Sequence, residues 1–142
     1  MAPEIDLSDE EWKDRLTSAQ YEVLRRQATE PPWSGEFVHV DADGAFHCAG
    51  CGAELFTTDA KFESGSGWPS FDRAVADGVI VEKTDRTLFM TRTEITCARC
   101  GGHLGHVFPD GPTETGQRYC VNSLALGFTP ADSASADTRS AG

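Results

Sequence analysis

Two segments of the chain carry the same eight-residue pattern. Cys48 to Leu55 and Cys97 to Leu104 both read C-x-x-C-G-x-x-L, with Cys48-Ala49-Gly50-Cys51 and Cys97-Ala98-Arg99-Cys100 at their heads. Four thiolates placed tetrahedrally at about 2.3 Å match Zn²⁺ in its closed, four-sulfur form. Gly52 and Gly101 follow the second cysteine of each pair, where a residue without Cβ lets the backbone turn and aim amides at sulfur. Two disulfides, an iron site of the same geometry or a redox dithiol are the alternatives. A closed four-sulfur site suits a metal used for folding rather than catalysis. Four thiols committed in this way leave nucleophilic chemistry to the fifth cysteine, Cys120.

The rest of the composition narrows the setting. At 142 residues, 39% of them hydrophobic, the chain can build one core, and residues 1–128 are expected to form a single domain. A net charge of −11 repels phosphate, which argues against nucleic acid and anionic membranes as partners. No apolar run of about 18 residues is present for a membrane span, and Met1 to Glu11 is too acidic for a signal peptide. The expectation is a soluble, cytoplasmic monomer.

Along the chain, Ser8 with Glu11 and Thr17 with Gln20 have capping-box spacing, which predicts two short helices within residues 8–28. Pro31 and Pro32 close this segment. A β core over residues 35–128 follows. Glu36–Val40 and Ala45–Cys48 flank the turn-rich 41–44 as a hairpin, and Val79–Glu82 and Thr87–Thr96 flank a turn at 83–86. Further short strands are expected at 107–108, 118–122 and 124–128. Residues 129–142 are nearly devoid of apolar side chains, which predicts a disordered tail.

Cys120 stands in Arg118-Tyr119-Cys120-Val121-Asn122-Ser123. Strand alternation puts Arg118, Cys120 and Asn122 on one polar face, where a guanidinium favours the thiolate; a buried structural cysteine is the competing reading. His103 and His106, spaced by three on a loop behind the second knuckle, can address one site together, or serve as metal ligands or surface groups. Trp68, between Gly67 and Pro69, is either a platform for a methyl or thioether group or part of a satellite cluster with Phe71. His39 and His47 receive no role.

Taken together these segments resemble the methionine-R-sulfoxide reductases of the B type. The resemblance runs from about Thr29-Glu30-Pro31-Pro32 to Phe128. It rests on Lys61-Phe62 through Gly67-Trp68-Pro69-Ser70-Phe71, both cysteine pairs, Gly102 to Pro112, and Thr115-Gly116 through Ser123. It implies a mainly β fold of two antiparallel sheets with N-terminal helices outside, joined by a structural zinc. It implies Cys120 as nucleophile, His103 and His106 as groups that bind and protonate the sulfoxide oxygen, and Trp68, Phe108, Arg118 and Asn122 as substrate-binding residues. The implied reaction yields methionine and a cysteine sulfenic acid, a repair function under oxidative stress.

One position departs from the family pattern. Many members carry a second, resolving cysteine between the two glycines before the tryptophan, where this chain has Ser66. With four thiols committed to metal and no cysteine in residues 1–47, the expectation is a one-cysteine cycle closed by thioredoxin or a low-molecular-weight thiol. The rival readings are a zinc-stabilised protein-binding module and a cysteine hydrolase with His103 as base, for which no oxyanion hole is evident.

Overall fold

The computed structural model describes residues 5–87 and 90–131. Helices α1 (Asp9–Arg15) and α2 (Ser18–Arg26) each open with the expected capping box. Ser8 Oγ accepts the Glu11 N–H at 3.2 Å while Glu11 returns the bond to the Ser8 N–H at 2.9 Å; Thr17 and Gln20 do the same at 3.1 and 2.9 Å. Such caps stabilise a short helix by about 1 kcal/mol each. Trp12, Leu16, Tyr21 and Leu24 form the buried stripe that holds both helices on the body.

Among the described residues nine strands follow: β1 (Gly44–Cys48), β2 (Glu54–Thr57), β3 (Lys61–Phe62), β4 (Ser70–Phe71), β5 (Ile80–Thr87), β6 (Met90–Cys97), β7 (His103–Phe108), β8 (Arg118–Val121) and β9 (Leu126–Pro130). They form a three-stranded sheet ordered β2-β1-β9 and a six-stranded sheet ordered β3-β4-β8-β7-β6-β5. Every pairing is antiparallel. Aromatic rings fill the space between the sheets. Phe56 stacks on Phe71 at 4.3 Å and Phe46 meets Phe71 edge-on at 5.1 Å, all three fully buried. Burying one such side chain contributes about 2–3 kcal/mol. The expected mainly β fold with two antiparallel sheets and outer helices is borne out.

Four local expectations are corrected. Glu36–Val40 is not a strand: both edges of β1 are occupied, by β2 and β9. The Phe37 N–H instead donates to Ser123 Oγ at 3.1 Å, and its ring packs on Phe46 and Phe128. Residues 83–86 are not a turn but the middle of β5, in register with β6 from Ile80↔Cys97 to Thr87↔Met90. Their charges have cross-strand partners, such as Asp85 opposite Arg92, so a polar run is a ribbon here and not a loop. His103 and His106 lie on a strand, β7, and not on a loop. Finally, Thr129 and Pro130 belong to β9, opposite Ala45 and Gly44. Proline is tolerated there because it ends an edge strand. The remainder of the expected tail, 132–142, lies outside the described residues.

Candidate active site

The two cysteine pairs sit at strand ends, Cys48 closing β1 and Cys97 closing β6. The knuckles are built alike. Gly52 and Gly101 adopt φ of 82° and 78°, a region glycine enters without steric cost. Their N–H groups return to the carbonyls of Cys48 and Cys97 at 2.8 and 2.7 Å. All four sulfurs lie within 4.8 Å of one another, with Cys48 to Cys100 at 3.7 Å and Cys51 to Cys97 at 3.6 Å. Those separations are far too long for disulfides and match the edges, about 3.8 Å, of a tetrahedron with metal–sulfur bonds of about 2.3 Å. These four cysteines can therefore hold a metal ion. The helices clamp onto the knuckles: Arg15 donates to the Gly50 carbonyl at 3.2 Å and Arg25 to that of Cys100 at 3.0 Å, Arg25 lying over the Trp12 ring.

Cys120 is in the middle of β8. Alternation turns Tyr119 and Val121 toward the core, Tyr119 meeting Phe56 at 5.8 Å, and leaves Arg118, Cys120 and Asn122 lining a cleft of about 280 Å³. Trp68, His106 and Phe108 line the same cleft. The indole N–H of Trp68 donates to the Glu30 carbonyl at 3.0 Å, which fixes the ring on its loop. Phe71 belongs to the core stack instead, so the two aromatic residues serve different parts of the molecule.

Strand β7 solves a geometric problem posed by its histidines. On a regular strand, residues three apart face opposite sides. Thr96 pairs with His103 but Ile95 pairs with Gly105, so Leu104 is an extra residue in β7. Such a bulge shifts the alternation by one and brings the His103 and His106 rings edge to face with centroids 5.6 Å apart. His106 is in register with Cys120. Gly105 makes the close approach feasible: a Cβ there would lie 2.0 Å from the Cys120 carbonyl oxygen.

Each imidazole has a carboxylate behind it. His103 Nδ1 lies 2.7 Å from Glu94 Oε2 and His106 Nε2 lies 2.8 Å from Asp85 Oδ2. His103 is buried behind the cleft rather than lining it. Burial, only partly offset by Glu94, pushes its pKa below the ordinary imidazole value, so the resting ring is neutral. Burial likewise pushes the Cys120 thiol up, against the opposing pull of Ser66, Arg118 and Ser70. The thiolate expected from the neighbouring guanidinium is thus not the resting form, because desolvation outweighs the charge. Arg118 is itself held by a forked bond to Asp110 at 2.8 and 3.2 Å and lies over Phe108 at 4.4 Å. Ser66 Oγ is 3.7 Å from Cys120 Sγ.

A family model described as the SelR domain matches residues 16–130. The chain belongs to the SelR family. It is 53% identical over 125 residues to the peptide methionine sulfoxide reductase MsrB of Methanosarcina mazei, covering 88% of this chain and 89% of that protein. It is 53% identical over 130 residues to the protein of the same name from Leifsonia xyli subsp. xyli, covering 91% and 94%. The Chromohalobacter salexigens protein of that name is 49% identical over 133 residues, covering 93% of this chain and all of its own. The family resemblance read from the motifs is borne out.

Within this SelR domain the sequence motifs did not reveal every cleft residue. Thr29, Arg92 and Gly105 also line the cleft. Behind it, Asp85 holds His106, Glu94 holds the buried His103, and the Glu30 backbone holds Trp68 and Asn122. Asp85 sits in the charged run 83–86 read as a turn and Glu94 in the expected strand 87–96, and their places beside His106 and His103 follow only from strand register. A larger opening of about 560 Å³ near Asp43, His47, Glu54 and Asp59 is lined by no cysteine, and of the first knuckle motif only Gly52 and Glu54 reach it. Among the described residues no helix is long and apolar enough to cross a membrane.

Proposed function

We propose that this SelR protein reduces the R epimer of methionine sulfoxide, free or within a polypeptide, with Cys120 as nucleophile. The observation that carries the reading is the convergence of one cysteine, His106 and the Trp68 ring on a single small cleft, with His103 directly behind. The names and identities of the relatives agree with it.

The proposed chemistry balances with these residues. Trp68 and Phe108 offer apolar surface to the methyl and thioether of the substrate, and His106 stands as a polar group beside Phe108, a one-sided placement that accepts one epimer. The Cys120 sulfur attacks the sulfoxide sulfur as its thiol proton passes by way of histidine to the sulfoxide oxygen. The transient bond between the two sulfurs and the substrate S–O bond both break as the protonated oxygen moves to Cys120, where an S–O bond forms, and two electrons pass from Cys120 to the substrate. The products are methionine and a sulfenic acid on Cys120. With Ser66 in place of a second thiol, an external thiol attacks the sulfenic sulfur and expels water. A further thiol then releases Cys120 from the mixed disulfide. Thioredoxin or a low-molecular-weight thiol of a reducing compartment such as the cytoplasm fits this role, and repair of oxidised protein is the corresponding task.

The proposed metal is zinc, held by Cys48, Cys51, Cys97 and Cys100. Its contribution is structural: it joins the knuckles that carry β1, β6 and the start of β7.

The test is methionine release from the R and S sulfoxides supplied separately with dithiothreitol, for the native protein and Cys120→Ser. Turnover of the R epimer alone, abolished by the substitution, is the expected result. Turnover of neither epimer by folded, metal-loaded protein would move the reading to a binding module.

A further inference from the structure

The reading of His103 as a proton carrier leaves open what fixes its protonation pattern, and the answer reaches back to the N-terminal helices. Glu94 Oε2 is shared by two donors: Gln27 Nε2 at 2.9 Å and His103 Nδ1 at 2.7 Å. A carboxylate can only accept, so the Nδ1 it faces carries the hydrogen and the neutral ring keeps its lone pair on Nε2. His103 Nε2 is buried and has no hydrogen-bond partner among the described groups. A buried polar atom left unpaired in this way is costly and calls for an explanation.

Gln27 is unusual in its own right. It caps the C-terminus of α2 with φ 60° and ψ 28°, a left-handed conformation uncommon outside glycine and asparagine. Glycine would adopt it more readily, yet the glutamine side chain is what reaches Glu94. Helix α2 is in turn fastened to the second knuckle by Arg25 and by Leu24, which lies against Gly102. The groups facing the His103 ring are Glu94, His106 and Asp85.

We infer that Gln27 and Glu94 are positioning residues: Gln27 orients the Glu94 carboxylate, which holds His103 in the Nδ1–H form and leaves its Nε2 lone pair free for the relay of the proton from Cys120 to the substrate oxygen. This rests on the proposed role of His103. It assigns the second helix a part in catalysis as well as in packing. A ring in the opposite tautomer has its proton on Nε2 and no lone pair there to take the Cys120 proton.

The experiment combines histidine ¹⁵N correlation spectra of the resting, metal-loaded protein with steady-state kinetics on R-methionine sulfoxide. The native protein is expected to show His103 protonated on Nδ1. Gln27→Gly preserves the left-handed cap and should fold at least as well, but it should mix the two His103 tautomers and lower kcat several-fold with little change in KM. Glu94→Gln should mix them further and lower kcat on the order of 10²-fold, less than the ~10⁴-fold loss when a triad carboxylate becomes an amide, because His106 remains. An Nε2–H tautomer in the native protein would overturn the inference. So would unchanged spectra and kcat in both folded variants, or altered spectra with full turnover. Native protein that shows the Nδ1–H form but no turnover would instead overturn the functional reading and the catalytic use of the tautomer with it.

Discussion

Ser66 Oγ stands 3.7 Å from the sulfur of Cys120, at the position where a resolving thiol would have to be. A second sulfur there needs only a small side-chain rotation to reach disulfide length. Ser66→Cys is therefore expected to close an intramolecular disulfide with Cys120 after one equivalent of R-sulfoxide, with both of those thiols lost to titration. The native protein should instead give a sulfenic acid trapped by dimedone. A native disulfide from Cys120 to one of the knuckle cysteines, with metal released, would disprove the one-cysteine cycle.

Metal removal should unfold the N-terminal half of the structure along with the knuckles. Binding of structural zinc to four thiolates is worth about 10–16 kcal/mol at neutral pH, as large as the whole stability of a typical domain. Because Arg15 and Arg25 anchor both helices to knuckle carbonyls, Cys97→Ser or a strong chelator should abolish helical circular dichroism as well as tertiary signals. Helical signal retained in metal-free protein would show that the helices dock independently.

Most of this architecture was legible in the sequence because its signals are local. Capping boxes at Ser8 and Thr17, the paired knuckles and the alternation around Cys120 each act over a few residues. What escaped depends on pairing between distant strands. The ribbon at 83–86 carries alternating charges whose partners on β6 cannot be read without the register. The histidines share a face only because Leu104 is a bulge, and a bulge is defined by the opposite strand. At Cys120 the pull of Arg118 is legible from the neighbouring sequence, but the burial that outweighs it is a property of the fold.

Gly105→Ala should impair catalysis more than stability. The added Cβ would meet the Cys120 carbonyl oxygen at 2.0 Å and the backbone of Val121 at 3.1 Å, forcing β7 away from β8 beside the nucleophile. Overpacking of this kind costs about 1–3 kcal/mol, while a displacement of about 1 Å at a reacting centre can cost about 10²-fold in rate. The expected outcome is a folded protein with kcat/KM reduced on the order of 10²-fold. Near-native kinetics would mean that the sheet yields there without moving Cys120.

The protonation states set a pH signature. The folded protein holds the Cys120 proton above its ordinary value of 9.0, so the stability linked to this group is present below pH 9 and lost as pH rises through the raised value. His103 is displaced below 6.5, so its share is present above pH 6.5 and lost as pH falls through the lowered value. Alkylation of Cys120 by iodoacetamide should be slow at pH 7 and rise with a midpoint above 9. Arg118→Met should move that midpoint higher, because the guanidinium favours the thiolate. A midpoint near neutrality would contradict the desolvated thiol.

Glu30 ties the segment after α2 to the far side of the cleft. Its carboxylate accepts the N–H groups of Ser123 and Leu124, both at 2.9 Å, at the start of the 3-10 turn Ser123–Ala125 that follows β8. Its backbone N–H donates to Asn122 Oδ1 at 3.0 Å and its carbonyl accepts the Trp68 indole. Asn122 in turn donates to the Leu104 carbonyl at 3.0 Å, so its amide serves the scaffold even as it lines the cleft. Glu30→Gln keeps one accepting oxygen but turns an amide donor toward a buried N–H, an unsatisfied pairing that costs about 1–3 kcal/mol. The backbone bonds to Trp68 and Asn122 do not depend on the side chain and should persist. The expected result is a Tm lowered by roughly 3–10 °C with kcat/KM down only a few-fold. An unchanged Tm would show that the turn keeps its geometry without the carboxylate, and a complete loss of turnover in a folded variant would show that Glu30 acts on the chemistry more directly than through these bonds.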